Sequence, residues 1–188
     1  MKKSFGPKTA LFPLPVVLIG TYDIDGKPNL MTASWTGIVN STPEMLSISV
    51  RKIRATYRGL EENKEFTITF ASTKQMEAAD YCGVFSHKET DKISDLGLNH
   101  QKAQSVNAPE FTDFSTCIDC RVKQQLDLGT HIMYIAEIID LRVDEAMLSD
   151  GNPDINKIDP LIYDTFSKSY FALGSKIGRA YTSQKIQK

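Results

Sequence analysis

The stretch from Val16 to Arg54, VVLIGTYDIDGKPNLMTASWTGIVNSTPEMLSISVRKIR, constrains this chain more than any other. Its apolar start, Val16 to Tyr22, has the composition of a strand and runs into Asp25-Gly26, a strong hairpin signal. After the polar run from Asn29 to Trp35, an alternation puts Leu46, Ile48 and Val50 on one face and Ser47, Ser49 and Arg51 on the other. A period of two is what a half-buried strand requires. Local hairpins of this kind favour an antiparallel sheet.

The pattern continues downstream. Pro43 fits a turn ahead of the alternating strand. Ile53, Tyr57 and Leu60 recur at helical spacing, which predicts a short amphipathic helix ending near Asn63. Glu65 to Ala71 alternates again, with Phe66, Ile68 and Phe70 expected inward. Ser72 with Gln75 three residues on has the form of a capping box and predicts a helix through about Tyr81. From Gly83 to Phe114 the periodicity fades, which predicts a long excursion with little helix, and such loops are often functional. Strand patterns return over Thr116–Leu126 and His131–Val143. The second is long enough to predict a bend or bulge. Pro160–Tyr163 and Tyr170–Leu173 fit short strands or docking segments. No repeat or linker divides the chain, so one domain over residues 1–188 is expected, with about 160–188 as a C-terminal docking tail. The fold class is mainly β with peripheral helices, a small closed or partly open barrel.

Charge and composition exclude some functions. With 22 basic and 23 acidic side chains the net charge is -1, which argues against a nucleic-acid or membrane-surface partner. No apolar run approaches the roughly 20 residues of a membrane span. Lys2 and Lys3 precede an apolar stretch, but Pro7, Pro13 and Pro15 interrupt it, against a signal peptide. Three cysteines without a secretory context point to the cytoplasm. Cys117 and Cys120 form a C-x-x-C, yet zinc needs a second pair of ligands and no redox βαβ context precedes it. Residues three apart on a strand also face opposite ways. Incidental strand thiols are therefore preferred, and no metal site is expected. Cys82 has no identifiable partner, and His87 and His100 are expected at the surface.

The chemistry concentrates in two segments. Asn29, Met31, Thr32, Ala33, Ser34 and Trp35 form a polar segment that brings hydroxyls and extended backbone amides together, while Ser49, Arg51, Lys52, Arg54 and Thr56 place cations beside a helix start. Helix N-terminal amides favour anions, and arginine binds phosphate oxygens bidentately. Beside apolar strands this set suits a flat aromatic ligand bearing a phosphate. It also fits a hairpin with a wet hydroxyl face and a basic strand end.

The run GTYDIDGKPNLMTASWTGIVNSTPEMLSISVRKIRATY resembles the FMN-binding region of the flavin reductase-like split-barrel family, closest to its flavoredoxin branch. The resemblance continues through LGTHIMYIAEIIDL and the C-terminal PLIYD...SYFALGSKIGRAY. It implies a homodimeric split β-barrel that binds FMN non-covalently near the subunit interface. Thr32 to Trp35 match the segment along the flavin, and Ser49, Arg51, Lys52, Arg54 and Thr56 the segment around phosphate and ribityl chain. Spacing leaves open which of the three cations meets the phosphate. Lys92 matches a lysine of the family's post-helix loop, where a cation can approach the cofactor; it also fits a solvated loop charge. His131 lies at the family's Gly-Asp-His turn, with Thr130 in place of the acidic residue, and is the candidate catalytic side chain beside the flavin.

The implied activity is flavin-dependent oxidoreduction or electron transfer. NAD(P)H or a redox protein would donate, and free flavin, ferric iron or a protein would accept. Three other readings stand beside it: a non-catalytic FMN- or haem-binding module, a thiol or metal regulator using Cys117 and Cys120, and a scaffold without cofactor affinity.

Overall fold

The computed structural model describes residues 1–182. Its elements in chain order begin β1 (Leu14–Pro15), β2 (Val17–Tyr22), β3 (Pro28–Ala33), β4 (Thr36–Ser41), β5 (Glu44–Arg51), α1 (Ala55–Asn63) and β6 (Glu65–Phe70). There follow α2 (Met76–Val84), α3 (Lys92–Asp95), β7 (His100–Lys102), β8 (Pro109–Phe111), β9 (Thr116–Asp127) and β10 (His131–Val143). The chain closes with β11 (Leu148–Ser149), β12 (Asn152–Pro153), α4 (Ile155–Ile158), β13 (Ile162–Asp164) and β14 (Ser169–Phe171).

Seven strands form one antiparallel sheet in the order β3-β2-β6-β9-β10-β5-β4. It curls around a core that includes Val17, Ile19, Leu46, Ile48, Phe66, Ile68 and Tyr134, and leaves β3 and β4 as edges. This is a split barrel. Curling is helped where β9 and β10 slip register between Ile135 and Ala136 and again between Ile138 and Asp140. Such bulges sharpen strand twist, and they meet the bend predicted for the long strand.

The chain entering β2 is apolar on both faces because it serves two cores. Val17 and Ile19 point into the barrel, while Val16 and Leu18 pack outside with Leu30, Ala79, Cys82, Ile93 and Leu161. That second core holds α2, α3 and the C-terminal hairpin against the β2–β3 face. On β6, Phe66 and Ile68 are inward as expected, with Phe70 partly buried against the same core. Between them, Thr67 donates to the Pro109 carbonyl at 2.6 Å, and Thr69 and Thr116 share a hydrogen bond of 3.2 Å. Helix α1 lies close on β2 at Gly59, where a Cβ would come within 2.3 Å of the Tyr22 carbonyl oxygen. Only glycine allows that approach.

Several local expectations change. Ile53 precedes α1 and is exposed, so the helix face rests on Tyr57 and Leu60. The Ser72–Gln75 capping box is present, but a 3₁₀ turn over Thr73–Gln75 comes before α2, which runs on to Val84. The excursion after Gly83 carries α3 and the β7–β8 hairpin, elements too short to leave a periodic trace. β4 was not foreseen as a strand of its own; it is exposed along nearly its whole length. Of the C-terminal tail, β13 and β14 form a three-stranded sheet with β1, and residues 183–188 lie outside the described residues. No helix among the described residues is long and apolar enough to cross a membrane.

Candidate functional site

A cavity of about 580 Å³ opens where β3, the end of β5, the start of α1 and the β13–β14 hairpin converge. That size suits a cofactor or small ligand. One wall is the β3 edge and the segment after it, with Thr32, Ala33, Ser34 and Trp35. Thr32 Oγ1 donates to the Ala79 carbonyl at 2.5 Å, fixing α2 against this wall. Ser49 and Arg51 come from the end of β5, Arg54 from the N-cap of α1, Thr130 from the β9–β10 turn and His131 from the first position of β10. Eight of the twelve predicted site residues thus share one cavity.

The turn after β5 sorts the cations. Arg51 and Arg54 face the cavity, and no side chain caps α1, so its first amides remain available beside them. Lys52 points away and forms an exposed ion pair with Asp127 at 2.6 Å. Lys52, expected on the cofactor segment, thus lies off the cavity wall, in the turn that follows β5. Charge without direction was all the sequence offered.

Asn29, Thr56 and Lys92 do not line the large cavity. They surround a much smaller space of about 10 Å³ beneath it, and Met31 and Arg54 border both. Asn29 Nδ2 donates to Thr56 Oγ1 at 2.8 Å, and both residues are buried. Lys92, expected either at the cofactor or in solvent, is 2% exposed. Its ammonium donates to the Leu30 carbonyl at 2.5 Å and faces that of Cys82 at 3.4 Å. Burial pulls its pKa down to about 8, with the Cys82 thiol opposing and Arg54 assisting.

His131 lies nearly parallel to Trp35, the planes 9° apart and the ring centres at 6.4 Å. Burial, then the neighbouring Arg51 cation, lowers its pKa, which favours a neutral imidazole at pH 7. The Thr130 hydroxyl is 2.9 Å from Nδ1, so a hydroxyl holds the ring where the resemblance led one to expect a carboxylate.

Sequence reasoning missed Val50, Asp80, Gly83, Val84 and Lys168 on the cavity wall, while Met31, part of the candidate polar segment, lines it. Tyr163 and Tyr170, singled out in the tail, line it too, and Tyr170 donates to Asp80 at 3.1 Å, joining the hairpin to α2. Phe166 instead packs edge-on against Phe5 and Phe12. Cys117 and Cys120 are buried and unpaired, and no cluster of metal ligands occurs among the described residues. Burial and the carboxylates of Glu110 and Asp119 push the Cys117 thiol up to about 12. Burial above all raises Cys120 as well. Both are poor nucleophiles or metal ligands in this state.

Fold and site together define a split barrel whose open side carries a cavity lined by hydroxyls, arginines and aromatic rings. Residues 9–172 match the Flavin reductase like domain, and the chain belongs to the flavin reductase-like family, in its flavoredoxin branch. It is similar to flavoredoxin of Desulfovibrio vulgaris (Miyazaki F), at 40% identity and a TM-score of 0.93, covering 98% of this chain and 100% of that one. Flavoredoxin from Methanosarcina acetivorans follows at 32% identity and a TM-score of 0.89, covering 97% of both. A curated relative is the reductase component of a 4-nitrophenol 4-monooxygenase/4-nitrocatechol 2-monooxygenase from Rhodococcus opacus. It is 27% identical over 73% of this chain and 68% of its own length.

Proposed function

We propose that the chain is an FMN-binding oxidoreductase or electron-transfer protein whose cofactor occupies the cavity between β3 and the C-terminal hairpin. The family supports a flavin and redox activity in general. The observation favouring FMN is the pairing of two inward-facing arginines with the uncapped start of α1, next to an apolar, aromatic-lined space. These groups fit the cofactor: cations and amides offset the desolvation of a phosphate, and apolar walls take a flat ring.

Arg51 and Arg54 are assigned the phosphate, and Ser34, Ser49 and Thr130 are hydroxyls available to the ribityl chain. Thr32 to Trp35 offer backbone to a polar ring edge. Asn29, Thr56 and Lys92 stand at the deep end, where Lys92 supplies a proton donor. His131 presents a neutral ring beside Trp35 at the mouth. The bound flavin would supply the redox chemistry, accepting a hydride or single electrons and releasing them singly or in pairs.

The acting unit is a homodimer in this reading. Strand β4 is a sheet edge with Ile38 71% and Val39 49% exposed, and Trp35 at the cavity is 41% exposed. A second copy on that edge would cover both. The three unpaired thiols fit a reducing cytoplasm.

Anaerobic mixing of the FMN-loaded protein with NADH, NADPH or a reduced redox protein tests the function. Bleaching of the flavin band, reversed by ferric iron, free flavin or an oxidised protein, is expected. A bound flavin that no donor reduces would favour the non-catalytic module.

A further inference from the structure

The small space below the main cavity is unusual for its unsatisfied polar atoms. Asn29 Oδ1 and His87 Nδ1 are both buried without a hydrogen-bond partner among the described residues, and both residues border it. So does Lys92, whose ammonium has three protons and two carbonyl partners. His87 was expected at the surface, yet its side chain is only 14% exposed. Its Nε2 lies 3.2 Å from Asp23 Oδ2. Burial pushes the Asp23 carboxyl up, but hydrogen bonds from the Lys27 and Asp25 backbone and from His87 outweigh this and hold it down as a carboxylate. A carboxylate only accepts, so Nε2 carries a proton, and in the neutral ring Nδ1 is the acceptor.

The donors and acceptors then match one water. It would accept from Lys92 and donate to Asn29 Oδ1 and His87 Nδ1, and the space of about 10 Å³ is near the minimum for one molecule. His87 also borders a separate cleft of about 350 Å³ that opens to solvent, where Asp23, Arg58, Lys88 and Asp91 surround it. On the inner side, Cys82 and Arg54 are the ionisable neighbours of Lys92.

We propose that this space holds one ordered water linking Lys92 to the His87–Asp23 pair, and that His87 relays protons between solvent and the deep end of the cofactor cavity. For outward transfer, the Lys92 ammonium passes a proton to the water, the water passes one to Nδ1, and the ring releases its Nε2 proton through Asp23 to the solvent-facing cleft; inward transfer is the reverse, a proton returning to Nε2 while Nδ1 gives one to the water and the water gives one to the Lys92 amine. His87 is left neutral with its proton on Nε2, and Lys92 regains its ammonium. The link to redox chemistry rests on the flavin reading above; the water and the relay do not.

The test is solvent exchange of the Lys92 Nζ protons, followed by nitrogen-15 NMR in flavin-free protein, for His87→Gln and His87→Phe. Exchange slowed about tenfold or more in both is expected. Backbone amide exchange at Leu30 and Cys82 should stay unchanged, as a check that the pocket has not opened. A high-resolution crystal structure should show density within hydrogen-bond reach of Asn29 Oδ1, His87 Nδ1 and Lys92 Nζ. Unchanged or faster Lys92 exchange in either variant, or no density at that point, overturns the proposal. A protein that binds no flavin but shows slowed exchange would sink the functional reading alone.

Discussion

Lys92 shows how far one residue can be followed. From sequence it was either a solvated loop charge or a cation near the cofactor, because its neighbours Leu30 and Cys82 come from elements 62 and 10 residues away. Burial is what decides its chemistry. Its ammonium titrates near 8 in the fold against 10.5 ordinarily, so the unfolded chain holds the proton more tightly. Below pH 8 that mismatch costs stability in full. Between about 8 and 10.5 the folded state loses the proton first, and the cost fades as pH rises. The full cost corresponds to about 3 kcal/mol as an order of magnitude. Lys92→Met in flavin-free protein should therefore gain on the wild type at pH 7 in urea unfolding, with the advantage shrinking towards about pH 10. An advantage that grows with pH would contradict this. All three thiols are buried and raised in pKa, Cys82 to about 11 and Cys117 to about 12. A thiol-specific disulfide reagent should label native protein far more slowly than unfolded protein, and Cys117→Ser with Cys120→Ser should keep its FMN.

At the scale of elements, legibility tracked burial. β2, β5, β6, β9 and β10 were legible because at least one face of each enters a core, which writes itself into the side-chain pattern. β4 was not, since neither face is covered within one chain, and three-residue strands such as β7 and β8 are shorter than any period can mark. The β7–β8 excursion is anchored by contacts that only the fold brings together. Arg142 of β10 donates to Asp119 at 2.8 and 2.9 Å and to Glu110 of β8 at 3.3 Å, and Asp119 also accepts from the Ser105 amide. The Asp119 side chain is fully buried. Arg142→Met would strand that carboxylate, and a loss of about 3 kcal/mol in chemical unfolding is expected, with faster proteolysis between residues 99 and 114. The C-terminal hairpin was expected as a docking segment, and its Tyr163, Lys168 and Tyr170 line the cavity wall. Removing the chain after Leu161 should weaken FMN binding about tenfold or more, read by flavin fluorescence. Unchanged affinity would make the hairpin packing alone.

For the whole molecule, the direction of each cation separates a phosphate site from a merely basic surface. Composition put Arg51, Lys52 and Arg54 together; the turn after β5 sends the two arginines inward and Lys52 to Asp127. The family resemblance could not sort those three, because sorting depends on the local backbone path. The exposed β4 edge raises the assembly question at the same scale. Ile38→Asp should turn a dimer into a monomer by light scattering and weaken FMN binding with it; a monomeric wild type would remove the dimer from the account. The central claim is that the cavity holds a flavin by its phosphate. Titrating flavin-free protein with FMN, FAD and riboflavin, followed by absorbance and fluorescence, tests it most directly. The account predicts saturation at one FMN per chain, riboflavin weaker by about 10- to 100-fold, and Arg54→Ala bringing FMN down towards riboflavin. Equal affinity for FMN and riboflavin, or no binding of any of the three, would contradict it.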